Sequence, residues 1–312
     1  MGRFGFVVPR LIQMVPVAIG ITIITFFLIH LIPGDPVAAL LGNHYSATSA
    51  HALRAALGLD KPLWNQYLIF LGNLFHGNLG DSIYYEEPVR DLIFSRVEPT
   101  IWLVAYAAVL AAVISVPLGM LAALKRNSVI DQAIRAFFLV ALAMPAFWVG
   151  IILVLIFSIH FTIFPVSGFG NDVPSHIKDL FLPALTIALS FGAILIRSLR
   201  NSTLSVLRAD YVDTARAKGL PNRVILGRHV LRNALLSTVT IFGVNIAFLM
   251  GATVIVENVF ALGGIGQLLV SAIQQRDYAV VQGITLLIAF FVIGINLLTD
   301  VAYGLLDPRV QQ

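Results

Sequence analysis

Side chains equipped for chemistry are concentrated in one part of this chain. Between positions 197 and 234, Arg197, Arg200, Arg208, Arg216, Lys218, Arg223, Arg228 and Arg232 stand against Asp210 and Asp213, a surplus of six positive charges in an otherwise oily second half. The run Leu204 to Lys218 is rich in helix formers, and Gly219 followed by Leu220-Pro221 supplies a left-handed terminator and then a residue that cannot continue the helix. Asn222 is placed to cap a second helix, and Arg223 to Arg232 lead into an apolar stretch. Helix, sharp turn and helix offer charge and shape to a partner surface. Read blandly, the same residues are a basic loop that orients the chain in a membrane.

Bond-making chemistry has no visible home. Gly72-x-x-x-x-Gly77 is followed by Asn78-Leu79, so the lysine that would hold a nucleotide phosphate is absent, and Gly168-x-Gly170 fails the dinucleotide pattern. Neither H-E-x-x-H nor G-x-S-x-G occurs, and the chain has no cysteine. The sequence therefore presents no catalytic residue, no metal-ligand set and no cofactor site. Its charge of +4 is spread by loop and lacks interleaved aromatics, which argues against nucleic acid as a partner.

The elements that position the basic stretch are membrane helices. With 58% hydrophobic and 12% charged residues and a mean hydropathy of +0.90, these 312 residues belong in a bilayer. Apolar stretches predict six spans, over 11–32, 101–124, 136–159, 180–196, 234–256 and 279–299, the fourth being short. The first has no cleavage-site pattern and reads as retained. Pro33-Gly34-Asp35-Pro36 stops it. The segment 33–99 then reads as an acidic, folded outer loop with short helices over Ser49–Leu57 and Leu63–Phe75. Fourteen Lys/Arg fall on the side holding both termini and the 197–233 loop, and six on the other, so both termini and that loop are expected in the cytoplasm.

Within the spans, Ala184, Ala188 and Gly192 form one small-residue stripe, and Gly243, Ala247 and Gly251 another. Such stripes let backbones approach, either inside one subunit or at a subunit interface or pore. Asn245 and Asn296 lie inside spans, while Glu257 and Asp300 stand near span ends and read as interfacial or capping groups. Leu268 to Ile273 is placed to dip into the outer half as a gate-like element.

Asp213-Thr214-Ala215, three further residues and Gly219, followed by His229-x-Leu231-x-Asn233, resemble the EAA loop of binding-protein-dependent ABC importer permeases, with Asp213 and Thr214 standing where Glu and Ala are usual. The wording Thr-Ala-Arg-Ala-Lys-Gly, the pieces Gly77-Asn78-Leu79-Gly80-Asp81-Ser82 and Pro88-Val89, and the run Val256 to Gly266 with Arg276-Asp277-Tyr278 are similar to the dipeptide/oligopeptide branch, B-type subunit. The likeness runs from the first span to Asp307-Pro308. It implies a type I ABC importer permease fold, all-α, in a prokaryotic inner membrane. It also implies that Asp213, Thr214, Ala215, Arg216, Ala217, Lys218 and Gly219 form a coupling helix, Ala215 and Ala217 being small where a partner comes close. The implied partners are a second homologous permease, two cytoplasmic ATPase subunits that hold the ATP and Mg, an outer substrate-binding protein and membrane lipid. The branch handles dipeptides, longer peptides, glutathione and nickel chelates.

A self-sufficient secondary carrier is the competing reading. It would use intramembrane carboxylates or broken helices to couple ions. The scarcity of embedded charge and the elaborate 197–233 loop weigh against it.

Overall fold

The structure, a computed structural model, describes residues 7–31, 37, 41, 46–56, 58 and 60–306. The Pro33-Gly34-Asp35-Pro36 stop and Asp307-Pro308 lie outside them. Among the described residues the chain is helical almost throughout, with a single isolated bridge between Asp81 and Pro88. Among the described residues, four helices are long and apolar enough to cross a membrane, or up to six if each of two bent pairs makes one span.

The core is built around α8 (Phe181–Val206), which follows the short α7 (Val173–Asp179) and lies against α4 (Val89–Leu124). Ala184 and Ala188 are fully buried, and a Cβ on Gly192 would stand 3.2 Å from the Phe138 ring and 3.3 Å from Ser115 Oγ. The facing helix carries its own small stripe, Ala107, Ala111, Ser115 and Gly119, all buried, which the sequence reading passed over. Small meets small, so the backbones come close, and Ser115 Oγ donates to the Gly192 carbonyl at 3.4 Å. Leu103, Ile187, Leu195 and Leu199 fill the space on either side.

Three boundaries differ from those read off the hydropathy pattern. Helix α4 begins at Val89 and runs through Pro99 for 36 residues, about 54 Å at 1.5 Å per residue and well beyond a ~30 Å hydrocarbon core. Burial of Val89, Leu92 and Ile93 holds the charged first turns helical despite the proline. The stretch 136–159 is two helices, α5 (Val129–Ala143) and α6 (Ala146–Leu153, continuing as a π-helical stretch through Val154–His160), bent by 109°. Pro145 forces Met144 into the extended region, at φ −83° and ψ 137°, so the helix ends there. Gly150 then lets α6 sit on the end of α10 (Arg232–Phe260), because a Cβ there would lie 3.1 Å from the Phe260 ring. Finally, the last part of α10, Phe248–Phe260, meets α11 (Ile265–Gln275) at 79°, the chain turning through left-handed Ala261 and Gly263.

The described part of the polar segment between α1 (Val7–Leu31) and α4 is folded. Its helices are α2 (Ala47–Ala56) and α3 (Leu63–Phe75). Tyr67 of α3 packs its ring 5.5 Å from Phe26 of α1, and its hydroxyl lies 2.8 Å from Thr22 Oγ1. Further along, Ser82 Oγ donates to Asp277 Oδ2 at 2.5 Å, and the same oxygen accepts from Tyr84 N at 3.3 Å. Asp277 also accepts from Val280 N in the first turn of α12 (Tyr278–Leu306), so one buried carboxylate ties the segment around Ser82 and Tyr84 to that helix. At the opposite end of α12, Asp300 pairs with Arg10 of α1 at 3.2 Å, while Asn296 is exposed.

Candidate functional site

The basic stretch is not one helix from Leu204 to Lys218. α8 ends at Val206, the chain turns over Leu207 to Ala209, and α9 (Asp210–Ala217) follows as a separate short helix. Asp210 and Asp213 lie in its first turn, and Arg216 lies in its last, the arrangement the helix dipole favours. Eight residues are too few to be helical alone, so packing must hold them. Val212 and Ala215 supply it, buried against Ile225 and Val230, with Met120, Val206 and Leu207 beside them. Ala215 is therefore small because it faces its own chain, and the expectation that it meets a partner is corrected. Asp213, Thr214, Arg216, Ala217 and Lys218 lie on the exposed side. There Asp213 pairs with Arg216 at 3.2 Å, and Thr214 Oγ1 donates to the Asp210 carbonyl.

Gly219 closes the helix with φ +73°. Its N–H donates to the Arg216 carbonyl at 2.9 Å and that of Leu220 to Ala215 at 3.3 Å, the paired bonds of a Schellman end. A Cβ at Gly219 would meet nothing within 4 Å, so the backbone angle alone asks for glycine. Pro221, and not Asn222, flanks the next helix, and Asn222 is its first residue. Asn222–Val224, then a π-helical stretch over Ile225–Leu231, feed into α10 without a break in helical backbone angles. Asn233 of α10 donates to the Tyr211 hydroxyl at 3.1 Å, a second strut under α9. Beside it opens a concavity of about 580 Å³ bordered by Arg228, His229, Arg232 and Asn233.

The base of this assembly is braced by an ion pair that sequence inspection missed. Asp131, in the first turn of α5, is fully buried and accepts from Arg200 Nε at 2.8 Å and Nη2 at 2.7 Å, a two-pronged contact. Arg135 adds a bond at 3.2 Å, and the N–H of Asn127 another at 2.9 Å. Ser128 caps α5 through the Asp131 N–H. The Asp131/Arg135 spacing was visible as an i, i+4 pair, but Arg200 lies 69 positions away and only folding brings it there.

The remaining marked residues lie elsewhere. Gly243 is buried against Thr299 of α12, where a Cβ would collide. Asn245 donates to the Ile241 carbonyl of its own helix at 2.7 Å, Gly251 is exposed, and Ala247 shares their helix. Of the two roles read for Glu257, the structure shows the capping one. Glu257 is wholly buried, takes the Thr100 hydroxyl on Oε1 at 2.5 Å, and accepts the N–H groups of Gly266 and Gln267 on Oε2 at 2.7 and 3.0 Å. The carboxylate thus sits at the N-terminus of α11, where backbone donors and dipole favour an anion. Gly264 and Gly266 leave it room, since a Cβ at either would lie within 3 Å of Oε2. An acidic residue seven positions before Gly264-Ile265-Gly266 was the available signal.

Sequence comparison bears on what this arrangement serves. A family model described as binding-protein-dependent transport system inner membrane component matches residues 115–312, and its N-terminal companion matches residues 3–104. The dipeptide transport system permease protein DppB of Escherichia coli (strain K12) is 37% identical over 333 aligned positions, covering 98% of each chain. The di/tripeptide transport system permease protein DppB of Pseudomonas aeruginosa is 38% identical over 331, again covering 98% of each. The oligopeptide transport system permease protein AppB of Bacillus subtilis is 36% identical over 313, covering 98% of this chain and 99% of that one. Among solved structures, the MetNI methionine ABC transporter in inward-facing conformations aligns with a TM-score of 0.59 at 16% identity, over 69% of this chain and 96% of that chain. At that identity the likeness speaks to fold.

Proposed function

Because this chain belongs to the family of binding-protein-dependent transport system inner membrane components, we propose that it is the membrane-spanning subunit through which an ATP-driven importer passes peptides or similar small solutes. The peptide assignment rests on relatives named for dipeptides and oligopeptides that match along nearly the whole length. Selection among such solutes falls to the binding protein outside. The competing carrier reading loses its best candidate group, since the buried Glu257 carboxylate is engaged by Thr100 and two backbone N–H groups.

The observation that carries the mechanism is α9. It is held from beneath by Val212 and Ala215, ended by a rigid Schellman turn, and presents Asp213, Thr214, Arg216 and Ala217 outward. In the proposed mechanism that face docks on an ATPase subunit in the cytoplasm, the side that the excess of basic residues assigns to it. Both termini lie on that side as well. A second permease completes the pathway, two ATPase subunits bring ATP and Mg, and closure of the ATPases pushes α9. Because α9 is continuous with α8 through a three-residue turn and strutted to α10 by Asn233, the push reaches two membrane helices at once. It shifts the balance between inward-open and outward-open states.

The assembled transporter in proteoliposomes tests this reading. Ala217→Cys should cross-link to the ATPase subunit, and Ala217→Trp should abolish uptake while the complex still assembles. Wild-type uptake by Ala217→Trp, with no cross-link from Ala217→Cys, would return the loop to a purely topogenic role.

A further inference from the structure

An open groove of about 350 Å³ runs between α5 and α8. The two helices are antiparallel here, pinned at one end by Asp131 with Arg200 and, deeper, by Phe138 against Gly192. The groove changes character along both helices in step. At one end stand Arg135 of α5 with Arg197, Arg200 and Asn201 of α8. One to two turns further in, the walls are Leu139 and Leu142 on one side and Ala193 and Ile196 on the other. Leu139 is exposed, as are Arg197 and much of the Arg135 side chain. Among the described residues, Asp131 is the one carboxylate within ion-pair distance of these three arginines, and Arg197 has none. The groove therefore keeps a surplus of two positive charges above an apolar floor.

That order, cationic guanidinium groups at one end of the groove and aliphatic side chains directly inward, is the polarity of a phospholipid. We propose that the groove is a binding site for one anionic phospholipid in the leaflet at the arginine end. Arg197 and Arg135 take the headgroup phosphate, while Arg200, held by Asp131, forms the back wall. The acyl chains follow Leu139 and Leu142. Basic recesses between membrane helices are suited to such headgroups, whereas a free anion would gain nothing from the apolar half. Occupancy would also brace the α5/α8 junction from which α9 is suspended.

The test uses the assembled complex in nanodiscs of phosphatidylcholine doped with phosphatidylglycerol, with retained lipid counted by native mass spectrometry. Arg197→Gln should lower retained phosphatidylglycerol about fivefold, the effect of one basic residue near an anionic surface. Leu139→Trp, from an exposed position that folding tolerates, should do the same by filling the groove. Arg223→Gln, in the short helix Asn222–Val224 and outside the lining of the groove, should retain as much as the unaltered complex. Equal retention by Arg197→Gln, or equal loss by Arg223→Gln, overturns the site. Displacement of the lipid by inorganic phosphate would reduce it to an anion site and also overturns it. A photoreactive side chain at position 139 should capture lipid, and capture of a partner polypeptide would reassign the groove to a subunit contact.

Discussion

Three residues carry most of the local argument, each for a different physical reason. Gly219 is required by its backbone angle alone, because φ is +73° while a Cβ would meet open space. Gly219→Val should cost roughly 1–2 kcal/mol in left-handed strain and misplace the end of α9, whereas Gly219→Asn, whose side chain tolerates that region, should be mild. Uptake by the assembled transporter should follow the same order, and equal uptake by both variants would separate the turn from transport. Glu257 is required for its acceptor oxygens. Glu257→Gln can keep an oxygen on the backbone donors of α11 only by turning its NH₂ to the Thr100 hydroxyl, which now donates to Oε1, and it removes the charge at the helix N-terminus, so it should lower stability by about 1–3 kcal/mol. Thermal unfolding in detergent measures this, and an unchanged midpoint would show that the 79° turn stands without the carboxylate. Asp131 is required as the counter-charge of Arg200, so its loss leaves a mostly buried guanidinium unpaired.

Among the elements, α9 is the most dependent on its neighbours. An isolated helix of eight residues is marginal in water, so the contacts of Val212 and Ala215 decide whether it exists. Val212→Ala removes two buried methyl groups and should loosen α9 by about 1–2 kcal/mol without disturbing the membrane helices. Amide exchange in 210–217 should then quicken while that in α8 is unchanged; uniform protection would mean that the helix is held by other contacts. The bent elements obey the same rule. α6 turns away from α5 at Pro145 and finds its place because Gly150 admits the Phe260 ring, and α11 turns back because Glu257 holds its first N–H groups. Each bend joins a local break to a distant seat.

For the molecule as a whole, the arrangement sets one polar face against another. Residues 60–88 are tied to α1 through Tyr67 and to α12 through Asp277, while the basic turns and α9 gather at the other end of the bundle. The chain has no cysteine, so single introduced cysteines report sidedness cleanly. Asn78→Cys and Asn171→Cys should react with an impermeant thiol reagent in intact cells, and Asn222→Cys should be protected. Labelling at Asn222→Cys would invert the orientation and remove α9 from the reach of cytoplasmic ATPases.

Much of this could be read from one sequence. Composition alone demanded a bilayer, since 58% hydrophobic residues cannot be hidden in a soluble chain of this length. Local rules placed the end of α9, because Gly219-Leu220-Pro221 admits few backbone paths, and placed α3, because its apolar positions repeat on one face. Helix bends escaped notice where hydropathy stays high across the break, as at Met144-Pro145. The direction in which a small side chain faces was equally hidden, and Ala215 turned inward although the loop around it is exposed. Above all, the pairing of Asp131 with Arg200 and the cradle joining Glu257 to Thr100 belong to the tertiary structure. Their members lie 69 and 157 positions apart, and at that separation no periodicity links them. Burial makes an unpaired charge costly, and the packing of α4, α5, α8 and α10 decides which partner is within reach.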